Sequence, residues 1–244
     1  NARRQRQMCI RDRYEGISEK DLAESMLMTA RTLVEKEPNY SYVTARLLLN
    51  NMENEVGEFL DIKERKDRGK MYVEALAKTV DKGIELDFLN EELKSYDLTK
   101  LGKAILQERD FQFTYLGLQT LYDRYFITCD EIRYELPQVF FMRVAMGLAL
   151  NEENRDERVI EFYKLLSSFD YMSSTPTLFN SGTQRPQLSS CYLTTVPDDL
   201  SGIYGAIRDN ALLSKWAGGL GNDWTNVRAL GSRIKGTNGK SQGI

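Results

Sequence analysis

Apolar residues recur every three or four positions through the first two-thirds of the chain, the spacing of one helical face. Leu22, Met26, Ala30 and Leu33 make the first stripe, with Ala23, Leu27 and Val34 beside it. Ser18 reads as its N-cap, with Asp21 near the third helical position, and Pro38 is expected to stop it. A second helix is expected from about Tyr42 to Asn54, then a charge-rich surface connection over 62–70. A third carries Tyr72, Leu76 and Val80 and is expected to end at Gly83. Asp87 is expected to cap a short helix reaching Ser95. Phe113 to Phe126 is aromatic-rich with helical period. Pro137 fits the first position of a helix to Leu150, and Asp156 to Ser168 forms another. Phe140, Phe141, Val144 and Met146 read as core rather than a cofactor pocket.

The pattern changes near Tyr171, where Pro, Gly, Ser and Thr become frequent. Residues 174–190 read as a long polar loop, of a length that usually carries function. Ser190 to Val196 follows as a short, largely buried strand. Ser201 or Asp199 should cap a helix through Trp216, with Ile203, Ile207 and Ala211 on one stripe. Asn222 to Val227 is a second expected strand. Strand, helix, strand opens an α/β unit, but one such unit cannot close a sheet. The remainder of that domain is expected beyond Ile244.

Composition narrows the chemistry. The 244 residues hold 41% hydrophobic side chains, enough for one large or two modest domains. A formal net charge of −3 argues against nucleic-acid binding. The basic exception is the end 1–13, with Arg3, Arg4, Arg6, Arg11 and Arg13, which reads as a solvated end without an assigned role. No apolar run approaches the ~18 residues of a membrane span, and no signal-peptide core is visible. Cys9, Cys129 and Cys191 are too widely spaced for a secreted disulfide framework, so the cytoplasm is the default compartment. The chain has no histidine, which removes Ser-His-Asp and Cys-His mechanisms and the commonest metal ligand. No metal site is expected. Thiol, carboxylate or bound cofactor must carry any chemistry.

Cys191 at the exit of the polar loop is therefore the leading candidate for redox or nucleophilic work. Its plainer reading is an inert cysteine on a strand. Glycine clusters follow at 217–221 and 235–240, where backbone amides can approach an anionic or nucleotide ligand.

The string TPTLFNSGTQRPQLSSCYL at 175–193 closely resembles the large, catalytic subunit of class I ribonucleoside-diphosphate reductases. EPNYSYVTAR at 37–46 and LPQVFFMRVAMG at 136–147 extend the resemblance, which runs from about Tyr14 to Ile244. It implies a mostly α N-terminal helical domain at 14–172, followed at 173–244 by the first strands of a truncated, ten-stranded α/β barrel. It implies an allosteric oxidoreductase of deoxyribonucleotide synthesis for DNA replication. That enzyme reduces ribonucleoside diphosphates by thiyl-radical chemistry and closes a disulfide between two redox cysteines.

Residue by residue, the resemblance makes Cys191 one thiol of that pair. The other thiol and the radical cysteine would lie past residue 244, so these residues alone are expected to be inactive. Thr175, Ser190, Cys191 and Gly219 take substrate-contact positions, with Thr177 a less certain neighbour. A nucleoside triphosphate effector, such as ATP, would meet Asp199 at its ribose hydroxyl, Lys215 near the helix end, Arg228 at its phosphates, and Lys235 and Gly236 in the following loop. Asp198 or Leu200 could share the role of Asp199, whose plainer reading is a helix N-cap. No cofactor is expected in this segment. The implied partners are a second large subunit, a small subunit with a metal-centred radical, and a thioredoxin- or glutaredoxin-like reductant. Glu15 to Ser18 resembles the junction after an ATP-binding activity domain. Two alternatives stay open: a cobalamin-dependent ribonucleotide reductase, and a non-catalytic nucleotide-binding helical module.

Overall fold

A computed structural model describes residues 16–215 and 218–243. The basic end, Cys9, Tyr14, Trp216 and Ile244 lie outside the described residues. The described residues divide into two compact units, the first covering 16–173 with 178–186 and the second 174–177 with 187–215 and 218–243.

The first unit is helical. Helix α1 (Glu19–Leu33) starts where the pattern predicts, with Ser18 Oγ accepting the Asp21 amide at 3.0 Å. It ends in turns before Pro38, so Pro38 is not its breaker. Helix α2 (Tyr40–Phe59) is longer than expected at both ends. Helix α3 (Arg68–Glu85) is capped by Asp67 and runs past Gly83. That glycine is required by packing: a Cβ there would meet the buried Leu89 side chain at 2.5 Å. Asp87 is not a cap. It takes φ 57° in the turn after α3, and Asn90 caps a 3-10 turn over Glu91–Ser95.

Next come the short helix α4 (Leu98–Lys103), a second 3-10 turn (Gln107–Gln112) and helix α5 (Tyr115–Arg124). A two-residue hairpin, β1 (Thr128–Cys129) and β2 (Ile132–Arg133), joins them to helix α6 (Pro137–Leu148) and helix α7 (Arg155–Ser167). Pro137 opens α6 as its spacing suggests. Every residue from Pro137 to Met146 is buried, so α6 is the central element, a helix hidden on all sides. Phe140, Phe141, Val144 and Met146 are core, each 0% exposed.

Hiding α6 completely also hides its polar residues, and each is matched. Arg143 Nε bonds Glu135 Oε1 at 2.6 Å, and its Nη1 bonds Ser181 O at 2.7 Å. Glu135 Oε2 accepts the Ile127 amide at 2.9 Å. Gln138 donates to Asp110 at 2.9 Å and accepts from Tyr163 Oη at 2.9 Å. Such satisfied networks avoid the cost of burying unpaired polar atoms. The segment 178–182 docks on the same helix. A Cβ on Gly147 would lie 2.0 Å from Gly182 N, so only glycine allows that approach.

Helix α8 (Thr175–Asn180) is shared, its first three residues in the second unit and its last three in the first; the second unit also carries strand β3 (Cys191–Thr195), helix α9 (Leu200–Ser214) and strand β4 (Gly219–Asp223). Residues 174–190 are thus not all loop, since Thr175–Asn180 is helical. Strands β3 and β4 pair in parallel, Cys191 opposite Gly219 through Thr195 opposite Asp223. The second strand lies upstream of the expected 222–227, and Trp224 to Val227 forms a turn. β3 also differs in burial. Leu193 is 87% exposed, and only Val196 just beyond the strand is buried. Two strands and one helix have too little surface to cover both faces of a sheet. On α9 the covered positions are Ile203, Ala206, Asn210 and Leu213, while Ile207 and Ala211 of the expected stripe are exposed. This is a mostly helical region followed by the opening strands of an α/β architecture; no closed barrel forms among the described residues.

Candidate functional site

The parallel register brings three of the sequence-predicted residues together. Cys191 begins β3 as an exposed free thiol. Gly219 begins β4 directly opposite, and its amide donates to Ser190 O at 2.8 Å. Ser190 Oγ lies 3.7 Å from Cys191 Sγ. A Cβ on Gly219 would stand 3.5 Å from Ser190 O and 3.7 Å from the sulfur. With no side chain at 219, that sulfur has open backbone beside it. The result is an exposed thiol, a hydroxyl and bare backbone at one end of a strand pair, a place where an oxygen-rich ligand can meet a reductant.

The loop entering β3 is tied to its own start. Thr177 Oγ1 donates to Leu188 O at 3.2 Å and lies 3.4 Å from Ser174 Oγ. Thr177 thus fastens the loop. Thr175 opens α8 and is exposed.

A second cluster lies at the other end of β3. Asp199 is the N-cap of α9, its Oδ1 accepting the Gly202 amide at 2.8 Å. Its neighbour Asp198 takes Arg228 instead. Arg228 Nε lies 3.0 Å from Asp198 Oδ1 and 2.9 Å from Oδ2, and the Arg228 amide donates to Oδ1 at 3.1 Å. These bonds and the positive charge hold the Asp198 carboxyl below the usual carboxylate range. The segment after Arg228 folds on itself: Gly231 N bonds Ser241 O at 2.8 Å, and Ser241 N bonds Ser232 O at 2.8 Å. At its tip Ile234 O accepts the Thr237 amide at 3.2 Å, with Gly236 at φ +79°, a conformation that favours glycine. Lys235 is exposed on that tip. Lys215 ends α9.

Asp198 and Arg228 are therefore paired, and Asp199 is the next residue along the chain from Asp198. Among the described residues no group of three His, Cys, Asp or Glu is placed to hold a metal ion. Cys129 sits half-buried in the β1–β2 hairpin beside Asp130. None of the described helices is long and apolar enough to cross a membrane.

Sequence reasoning passed over Arg143 and Glu135. The signal was present: a single arginine inside the otherwise apolar run 139–146 must be paired if that run is core. It also passed over the Asp198–Arg228 pair, whose members stand 30 positions apart with no local pattern joining them.

Comparison with known proteins bears on both units. The family description "Ribonucleotide reductase, all-alpha domain" matches residues 111–186, and "Ribonucleotide reductase, barrel domain" matches 189–244. Together these cover more than half of the chain. The chain is 51% identical over 239 residues to the ribonucleoside-diphosphate reductase subunit alpha of Chlamydia muridarum, covering 97% of this chain and 22% of that protein. Against the subunit alpha of Helicobacter pylori it is 39% identical over 231 residues, covering 94% of this chain and 28% of the relative. Against the large subunit of Arabidopsis thaliana it is 35% identical over 238 residues, with 95% and 28% covered. The chain thus spans between a fifth and a third of the length of these relatives.

Proposed function

Because the chain belongs to the ribonucleotide reductase large-subunit family, we propose that the full-length protein reduces ribonucleoside diphosphates to deoxyribonucleoside diphosphates, with Cys191 as one of two redox thiols. The observation that carries this reading is the exposed Cys191 thiol flanked by the Ser190 hydroxyl and the bare backbone of Gly219. Two thiols becoming one disulfide release two electrons and two protons. That balances replacement of a ribose C–OH by C–H with loss of water. Ser190, Thr175 and the Gly219 backbone orient the nucleotide through neutral hydrogen-bonding groups.

The radical that starts the reaction would come from a separate metal-containing small subunit, and an external dithiol protein would reset the disulfide. A nucleoside triphosphate effector would bind at Asp199, Lys215, Arg228, Lys235 and Gly236. The bond of Arg228 to Asp198, the chain neighbour of Asp199, supports this, because a carboxylate suits a ribose hydroxyl and a guanidinium suits phosphate. We place the division between helical domain and barrel near residues 172–173, assign the protein to the cytoplasm, and expect no turnover from the 244 residues alone.

The test is Cys191→Ser in the full-length protein, assayed with its small subunit and a dithiol reductant. Deoxynucleotide formation should be abolished while diphosphate binding is retained. Undiminished turnover would refute the assignment.

A further inference from the structure

We propose that an open cleft in the helical unit, between the first two turns of α3 and the end of α4, binds a small monocarboxylate with a compact apolar body. The cleft lies wholly within the first unit and holds about 470 Å³, in the range of small-molecule sites. Two glycines shape it. Gly102 in α4 is buried against α3, where a Cβ would stand 2.9 Å from Val73 Cα. That close approach leaves Val73 and the buried Ile105 as an apolar floor. Gly69, in the first turn of α3, leaves the wall bare. A Cβ there would lie 3.3 Å from Asp67 Oδ1 and 3.9 Å from Gln107 Nε2.

The carboxylates of the cleft are already engaged. Asp67 accepts the Lys70 amide at 3.2 Å as the cap of α3, and its other oxygen lies 3.4 Å from Lys70 Nζ. Glu74 accepts the Lys63 and Glu64 amides at 3.2 and 3.4 Å and pairs with Lys78 at 2.8 Å. Lys103 has no carboxylate partner among the described residues, and the Gln107 side-chain amide bonds to none of them. What remains is one uncompensated cation and one amide donor beside an apolar floor. A single cation matches a single negative charge, which favours a carboxylate over a phosphate ester. The carboxylate can accept from Lys103 Nζ and from the Gln107 amide while its apolar body covers Val73 and Ile105.

Saturation-transfer NMR on the full-length protein, with benzoate and its neutral analogue benzamide as probes, tests this. Benzoate should bind saturably with a dissociation constant on the order of 1 mM, and benzamide several-fold more weakly. Lys103 is exposed, so Lys103→Met carries little folding risk. It should weaken benzoate about threefold to fivefold and leave benzamide unchanged. Gly69→Leu should fill the cleft and abolish binding of both probes, with thermal unfolding unchanged or raised, because leucine is the better helix former. Absence of saturable benzoate binding overturns the proposal. So does benzoate binding that neither variant alters, which would place the ligand elsewhere. Equal loss of benzoate and benzamide in Lys103→Met overturns the choice of an anion. None of these outcomes bears on the reductase reading, which stands or falls with Cys191.

Discussion

Gly219 stands directly across the parallel register from Cys191, and a methyl group on it would lie 3.7 Å from the thiol sulfur. That distance is ordinary contact, so the fold has room for the methyl. Alanine also loses less backbone entropy than glycine on folding, a gain of roughly 0.5–1 kcal/mol. The space it fills, however, is the approach to the thiol. Gly219→Ala in the full-length protein should keep or slightly raise thermal stability and lower kcat/KM for the diphosphate at least about tenfold. Unchanged kcat/KM would mean that the substrate does not pass this face of the strand pair.

Arg143 and Glu135 form an ion pair at 2.6 Å with side chains 1% and 0% exposed. Removing one partner strands the other charge in the core. Arg143→Met should destabilise the helical unit by about 3–5 kcal/mol, and the double variant Arg143→Met with Glu135→Leu should recover much of that loss. Chemical denaturation of the full-length variants reads both. Recovery should be incomplete, because Arg143 also holds the Ser181 carbonyl. A near-neutral single variant would show that the pair contributes nothing.

Asp110 is 2% exposed between Tyr72 Oη, Gln138 Nε2 and Arg68 Nη2, with Glu53 bonded to the same arginine. Burial pushes its carboxyl from 3.8 up to about 6, against the opposing pull of the bonds from Tyr72 and Gln138 and the charge of Arg68. A carboxyl raised in the folded state favours folding while it is protonated. Its contribution is fully present below pH ~4 and fades as pH rises through about 6. The difference is on the order of 3 kcal/mol. Stability curves from pH 4 to pH 7 should therefore carry a downward component that Asp110→Asn removes. If the variant's curve keeps the wild-type slope, Asp110 does not titrate in that window.

The helices were the most legible part of the fold, because burial against one core imposes a period that survives in the sequence. Ser18 and Pro137 mark their starts for local reasons, a side-chain acceptor and a missing N–H. Features that depend on distant partners were not legible. The β1–β2 hairpin has two residues per strand, too few for any alternation to show. The position of β4 is hidden in the sequence because Gly219 and Gly221 have poor strand propensity. Glycine belongs there for close approach, since a Cβ on Gly221 would sit 2.8 Å from the Leu193 side chain. At the candidate site Ser190 and Cys191 were readable from their shared motif. The opposition of Cys191 to Gly219 required the register, and the Asp198–Arg228 pair required the fold.

Helix α9 divides into two faces. Ile203, Ala206, Asn210 and Leu213 turn inward, and Asn210 Nδ2 reaches Asn222 Oδ1 on β4 at 3.0 Å. Leu200, Tyr204, Ile207 and Leu212 are 74%, 68%, 48% and 60% exposed. Four large apolar residues on the outer side of one helix call for a cover, from the rest of the full-length protein or from a second subunit. We propose that this face of α9 is where the second large subunit implied by the resemblance packs. Burying one such side chain contributes about 1.5–3 kcal/mol, so placing a charge there should raise the dimer dissociation constant at least about tenfold. Ile207→Glu in the full-length protein should shift sedimentation toward monomer at micromolar concentration. The inward face is untouched by this change, so thermal stability of the monomer should hold. A variant that remains dimeric at the wild-type dissociation constant would exclude α9 from the subunit contact.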